Sequence, residues 1–159
     1  MTYLTKRLNK KELIRRAAIQ VISRQGYYYA TTDQIAEEAG VAVGTIYNYF
    51  RNKEEILEHI FKVEVDKRFR YYEDLINQDL PALEKLQSLL TMHFAEVLKE
   101  PQVGQIMVRE RLSPEDQQLP GIREFLQGVP SRLQMVLEEA VANGEIRPCD
   151  TEIGAVALF

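Results

Sequence analysis

Between Thr32 and Lys53 the chain reads TDQIAEEAGVAVGTIYNYFRNK, and few folds accommodate such a stretch. Thr32 is a favourable N-cap. Helix formers fill Gln34 to Ala39 around an inward pair, Ile35 and Ala36, and Gly40 supplies the positive φ that a sharp corner requires. Val41 plugs the corner, and a second helix is expected from about Val43 to Phe50. At about 100° per residue, Val43, Ile46 and Phe50 share an inward face. Gly44, Thr45 and Asn48 point outward, with Tyr47 and Tyr49 on the flanks. Two short helices crossing steeply at a Gly-Val corner form a helix-turn-helix. Its outward face of small, hydroxyl and amide groups suits the base edges of a DNA groove better than bulk solvent. The Tyr47 and Tyr49 hydroxyls are placed to reach phosphate oxygens. Asn52 caps the next helix with Glu55 at capping-box spacing, and Lys53 sits in its first turn, where free N–H groups already favour an anion.

The charge is divided in a way that agrees with this reading. The formal net charge is −4, yet residues 1–53 hold nine Lys/Arg against four Asp/Glu, or +5, leaving −9 for the remainder. A basic head on an acidic body orients a protein towards phosphate. The 45% apolar content excludes a disordered chain. No apolar run is long enough to span a membrane and no secretory leader is visible, so a cytoplasmic protein with no membrane association is expected. The lone cysteine, Cys149, has no internal disulfide partner, as in a reducing compartment.

Met1 to Asn9 reads as a frayed tail, with Lys6, Arg7, Lys10 and Lys11 near a groove or solvated. A first helix is expected from about Lys10 to Gln25, with Leu13, Ile14, Ala17, Ala18, Val21 and Ile22 inward and Gly26 as its stop. Tyr27, Tyr28 and Tyr29 then form a linker whose rings pack across the head. A long helix from Lys53 to about Asn77, ~37 Å in length, locks onto the head through Ile56, Leu57, Ile60 and Phe61. As a rod touching both parts, it is suited to carry a signal. Pro81 and Pro101 bracket a fifth helix, Val103 to Arg111 forms a sixth, and Ser113 to Gly121 is a loop. A seventh spans Ile122 to Ala142 with a kink or break expected at Pro130, and Thr151 caps an eighth that stops at Phe159. The fold class is all-α.

Enzyme chemistry has little support. There is no Gly-rich phosphate loop, nucleophile elbow or metal-ligand cluster, and the only two histidines are His59 and His93. No cofactor and no metal is expected. His59 with Glu55 reads as a solvated pair, and His93 with Glu96 lacks the further acids that a carboxylate–histidine bundle site needs. Apolar residues of the body supply candidate walls for a small hydrophobic effector: Phe61, Val65, Phe69, Tyr72, Met92, Phe94, Ile106, Met107, Phe125 and Met135. The same residues serve equally as core. Methionines favour a flexible, oily guest, and Arg109 and Arg111 are placed to hold an anionic head group or to pair with Glu110 or Glu115.

The run TTDQIAEEAGVAVGTIYNYFRNKEEIL resembles the DNA-binding domain of the TetR family of bacterial transcriptional regulators, over roughly Lys10 to Phe61. That resemblance implies a DNA-binding domain over residues 1–53 and a helical ligand-binding and dimerisation domain over 54–159. It implies a homodimer that represses from a palindromic double-stranded DNA operator and lets go when a small effector enters the body. On that pattern Thr45 and Asn48 read base edges, Gly44 permits close approach, Val43 touches at most a thymine methyl, and Thr32, Tyr47, Tyr49 and Lys53 hold phosphates. Tyr28 is a further phosphate candidate by analogy. Asp33 departs from the pattern, standing where many relatives place a base-reading residue. The family's last two long helices form its dimer interface. Here the eighth is short and the ninth is missing, so a truncated body is expected. The Gly-Thr-Ile-Tyr run and the His93-Phe94 pair also resemble TetR-type regulators of fatty-acid degradation, which implies a long-chain acyl-CoA effector. The alternatives are a drug-like ligand, or a helical scaffold that does not read DNA.

Overall fold

The computed structural model describes residues 3–110 and 119–159, with side chains from residue 10 onward. Arg111, Glu115, most of the Ser113–Gly121 loop and the side chains of Lys6 and Arg7 lie outside the described residues. Among the described residues eight helices follow one another: α1 (Tyr3–Gln25), α2 (Thr32–Ala39), α3 (Val43–Tyr47), α4 (Lys53–Ile76), α5 (Ala82–Lys99), α6 (Pro101–Glu110), α7 (Pro120–Ala142) and α8 (Thr151–Leu158). No described helix is long and apolar enough to cross a membrane.

α1 to α3 close over Ile14, Ala18, Ile22, Ile35, Ile46 and Phe50, all essentially inaccessible. α4 supplies the floor through Ile56, Leu57 and Ile60. The same helix then runs into the body, where α7 packs along it and along α5 and α8. Gly121 sets how closely α7 approaches α4, because a Cβ there would stand 3.0 Å from the Glu58 carbonyl oxygen. One hydrophobic core is therefore continuous from head to body.

Polar side chains tie elements together over long sequence distances. α5 opens after Pro81 with no side-chain cap of its own. The Glu145 carboxylate, beyond the end of α7, accepts instead from the Ala82 and Leu83 N–H groups, both at 2.9 Å. Those two hydrogen bonds hold the Glu145 carboxyl below the usual carboxylate range. Buried Lys85 of α5 reaches Glu139 of α7 at 2.9 Å. α6 seals the end of α1: Arg109 donates to the Ile22 carbonyl and to Glu110, and Glu110 accepts from the Tyr27 N–H. A cation at the carbonyl end of a helix also complements its dipole.

Several expectations need correction. α1 begins at Tyr3 rather than about Lys10, and Leu13 is 41% exposed while Ile14 takes the inward place. Only Tyr27 of the three linker tyrosines packs on the core, because Tyr28 and Tyr29 are 82% and 71% exposed. Thr31 and Asp150, each one residue earlier than expected, are the N-caps of α2 and α8. α7 runs unbroken through Pro130. Side chains serve the carbonyls around the lost N–H, Ser131 Oγ donating to Gln127 O at 2.7 Å and Arg132 to Gly128 O at 3.2 Å.

Candidate nucleic-acid interface and ligand cavity

The reading unit is fixed by two local devices. Thr31 Oγ1 accepts from the Gln34 N–H at 3.2 Å while Gln34 Oε1 accepts from the Thr31 N–H at 2.9 Å, a reciprocal capping box. At the other end of α2, Gly40 adopts φ +62° and the Val41 N–H bonds back to Ala36 O at 3.0 Å, the closing contact of a Schellman turn. α3 follows at once. It is five residues long, shorter than the eight expected, because the Asn48 and Tyr49 N–H groups bond three residues back, to Thr45 and Ile46, and tighten the last turn.

Ile46 and Phe50 anchor this segment in the core. Gly44, Tyr47 and Asn48 stand exposed, Thr45 and Val43 are half-buried, and Tyr49 packs partly on the core. Thr32 is half-buried, with its hydroxyl 3.3 Å from the Tyr47 hydroxyl. Asp33 is exposed at the start of α2.

Lys53 is employed differently from the expectation. Its ammonium donates to the carbonyls of Tyr27, Tyr28 and Ala30 at 2.8, 3.2 and 2.9 Å and lies 4.5 Å from the Tyr27 ring centroid. All three ammonium protons are thus directed at the linker between α1 and α2, where they hold the backbone on either side of Tyr29, whose own carbonyl accepts from Gln25 at 2.8 Å. The Asn52 cap is present, accepting from the Glu55 N–H at 2.9 Å, but Glu55 returns its bond to the Arg51 N–H rather than to Asn52. Lys53→Met is expected to cost about 1–2 kcal/mol, the scale of hydrogen bonds from a charged donor that is partly solvated. Urea unfolding measures that loss. The salt dependence of duplex binding separates the clamp from a phosphate contact, since a lost phosphate contact lowers the slope by about one and a lost clamp leaves it unchanged.

His59 is half-buried beneath Phe50, ring centroids 5.4 Å apart, rather than forming a solvated pair with Glu55. Burial, helped by the positive charges of Lys11 and Arg15, pushes its pKa down from 6.5 to about 4. The folded chain therefore keeps the ring neutral where the unfolded chain protonates it. The stabilisation is whole above pH 6.5 and is lost as pH falls from there towards 4. Discounted for the ring's partial access to solvent, the loss is about 1–2 kcal/mol. His59→Gln should flatten this part of the stability–pH profile in urea titrations.

The body contains a small cavity of about 20 Å³, walled by Arg68, Tyr72, Leu89, His93, Phe125 and Leu133 among others. That is room for about one water molecule. Tyr72 and Phe125 are the two expected wall residues that line it. Phe61, Val65, Ile106 and Met107 are core. Phe69 lies beneath the Arg132 guanidinium, 3.5 Å from its ring centroid, and Met92 lines a separate open groove beside Tyr71. Phe94 and Met135 are 61% and 54% exposed. Arg109 is committed to the end of α1 and does not line this cavity.

Arg68 and His93 are not among the expected wall residues, although His93 carries part of the resemblance to regulators of fatty-acid degradation. The sequence does carry a signal for Arg68, because Phe61, Glu64, Val65, Arg68 and Tyr72 share one helical face, so its charge falls on a core stripe. Burial and the Arg68 charge both lower the His93 pKa. Glu96, three residues on, is held by Lys67 and Lys99, and no group of metal-binding side chains occurs among the described residues.

Comparison with known proteins bears on both parts. Residues 14–60 match the family model for bacterial regulatory proteins of the tetR family, and residues 79–159 match that for the tetracyclin repressor-like C-terminal domain. The fatty acid metabolism regulator protein of Bacillus subtilis (strain 168) is 34% identical over 131 residues, 82% of this chain and 68% of that protein. A crystal structure of FadR from Bacillus subtilis in complex with stearoyl-CoA superposes with a TM-score of 0.78 at 32% identity, over 93% of this chain and 80% of that one. The fatty acid degradation regulator FadR of Bacillus halodurans gives a TM-score of 0.82 at 32% identity, over 93% and 77%. The chain belongs to the TetR family of bacterial regulatory proteins and is a DNA-binding transcriptional regulator rather than an enzyme.

Proposed function

We propose that this regulator is a cytoplasmic homodimeric repressor that reads a palindromic operator through α2 and α3 and releases it when a long-chain acyl-CoA enters the body. The reading rests chiefly on one observation: Gly44, Tyr47 and Asn48 stand exposed on a short helix and its C-cap, which Ile46 and Phe50 pin to the core. In this arrangement Thr45 and Asn48 address base edges, Gly44 lets the backbone approach, and Val43 meets a thymine methyl. Thr32, Tyr47 and Tyr49 hold phosphates, with Tyr28 beside them. Lys53 acts on phosphate through the linker that it clamps. Exposed Met135, Ile153 and Val156 on α7 and α8 support pairing with a second copy. The acyl ligand is favoured by the likeness to FadR and by the mostly apolar cavity walls. A cavity of one water's size admits a fatty chain only if α5, α7 and α8 part, which would couple entry to movement of α4.

The test selects duplexes from a random pool and titrates the best of them with salt and with stearoyl-CoA. A steep salt slope, a loss of about 1–3 kcal/mol of sequence discrimination in Asn48→Ala, and release by stearoyl-CoA are expected. Binding that ignores both salt and sequence would sink the DNA-reading assignments. Unchanged operator binding at saturating stearoyl-CoA would sink the acyl effector.

A further inference from the structure

Three buried charges stand in series between the cavity and α1. Arg68, Glu64 and Arg15 are 3%, 3% and 6% exposed. Glu64 divides its carboxylate: Oε2 accepts from Arg68 Nη1 at 3.0 Å, and Oε1 lies 3.5 Å from Arg15 Nη1. On α1, Arg15 donates from Nε and Nη2 to the two oxygens of Glu12 at 2.8 and 3.0 Å, and Glu12 also accepts from Arg16 at 2.9 Å. Both outer ends of Glu64's grip are incomplete. Arg68 Nε is buried with no acceptor among the described residues, and Arg15 Nη1 faces Glu64 without hydrogen-bond geometry. A buried guanidinium N–H lacking an acceptor is unfavourable, so an oxygen delivered into the cavity beside Arg68 has a donor waiting.

We propose that Arg68 holds the carbonyl or carboxylate oxygen of the acyl ligand, and that Glu64, shared between Arg68 and Arg15, transmits that occupancy from the cavity to α1. The proposal rests on the acyl reading given above. One guanidinium among Leu89, Phe125 and Leu133 suits the single oxygen function at the head of a hydrocarbon chain, and the lining offers, among the described residues, no second Lys or Arg for the phosphates of CoA. The ligand oxygen and Glu64 Oε2 draw on the same cation. As the ligand takes a share of Arg68, the Glu64 charge turns towards Arg15, and the loose 3.5 Å contact between α4 and α1 tightens. α1 carries the reading unit, so the spacing of the head against α4 changes with cavity occupancy.

The test uses variants that never strand a carboxylate. Arg15→Gln leaves Glu64 with Arg68 and Glu12 with Arg16, whereas Arg68→Gln leaves Glu64 with Arg15. Calorimetry measures binding of stearoyl-CoA and, separately, stearate to the parent and both variants, and amide hydrogen exchange follows α1. Arg68→Gln should weaken whichever ligand binds by about tenfold or more. Arg15→Gln should bind within about twofold of the parent yet lose the ligand-induced change in α1 exchange. Should Arg68→Gln not fold, Arg68→Lys takes its place, since it keeps a cation for Glu64 but has no Nε–H fork. Parent-like ligand affinity in the Arg68 variant overturns the anchor, and a parent-like α1 response in Arg15→Gln overturns the relay. If neither ligand binds the parent, the acyl reading and the anchor both fall. The relay is then decided without ligand, in a cycle with Glu64→Gln so that no carboxylate is stranded: the effects of Arg68→Gln and Glu64→Gln on α1 exchange are non-additive if Glu64 links Arg68 to α1, and additive if it does not.

Discussion

Truncation of Phe50 to alanine is expected to destabilise the protein by about 3–5 kcal/mol and to remove operator binding with it. Phe50 is 1% exposed and sits where the chain leaves α3 for α4. Its ring meets His59 of α4, and the Lys11 ammonium of α1 lies 5.1 Å from its centroid. One side chain therefore joins the reading segment to the helix before it and the helix after it. Without the ring, the five-residue α3 keeps only Ile46 as a fully buried anchor, and a helix that short has no stability of its own. Phe50→Leu conserves most of the apolar volume and should cost less than about 1.5 kcal/mol, with operator binding retained. Urea unfolding monitored by circular dichroism measures both. An alanine variant within about 0.5 kcal/mol of the parent would show that α3 is not held in this way.

Glu64→Leu is expected to cost about 3–5 kcal/mol, the scale for breaking a buried ion pair from one side. Leucine removes the carboxylate that serves both buried arginines. Arg15 retains Glu12, whereas Arg68 retains, among the described residues, only the Glu64 main-chain carbonyl at 3.1 Å, which carries no charge to offset its own. The triple replacement Arg15→Met, Glu64→Leu, Arg68→Met removes all three charges together and should recover most of the loss, since the site then needs no desolvated ions. Thermal unfolding of the single and triple variants checks the pair of outcomes. A triple variant as unstable as Glu64→Leu would mean that steric misfit, and not an uncompensated charge, is responsible.

Much of the architecture was legible because it rests on local rules. The Gly40 corner, the inward Ile46 and Phe50 and the extent of α4 all follow from capping and helical periodicity. The N-caps slipped by one residue where two adjacent side chains each qualify. Gln34 lies three residues after Thr31 and selects it over Thr32, and Asp150 accepts from the Ile153 N–H ahead of Thr151. Lys53 was legible as a first-turn cation, but not as the clamp on a linker more than twenty residues earlier, because only the tertiary fold brings those carbonyls to it. The Glu145 cap on α5 escaped for the same reason. At the cavity the difficulty was chemical: Glu64 and Arg68 are spaced like a solvated surface pair, and their burial depends on α1 and the cavity walls closing around them.

The exposed tyrosines of the head have a practical consequence for observing the protein in solution. The sequence has no tryptophan and eight tyrosines, six of them before Lys53. Intrinsic emission is therefore tyrosine emission, weighted towards Tyr28, Tyr29 and Tyr47, which are 82%, 71% and 53% exposed. A duplex that covers these rings should alter the near-ultraviolet emission without any attached dye. The body retains only Tyr71 and Tyr72, the latter buried beside the cavity, so replacing Tyr28, Tyr29 and Tyr47 with phenylalanine would shift the same optical signal towards events at the cavity.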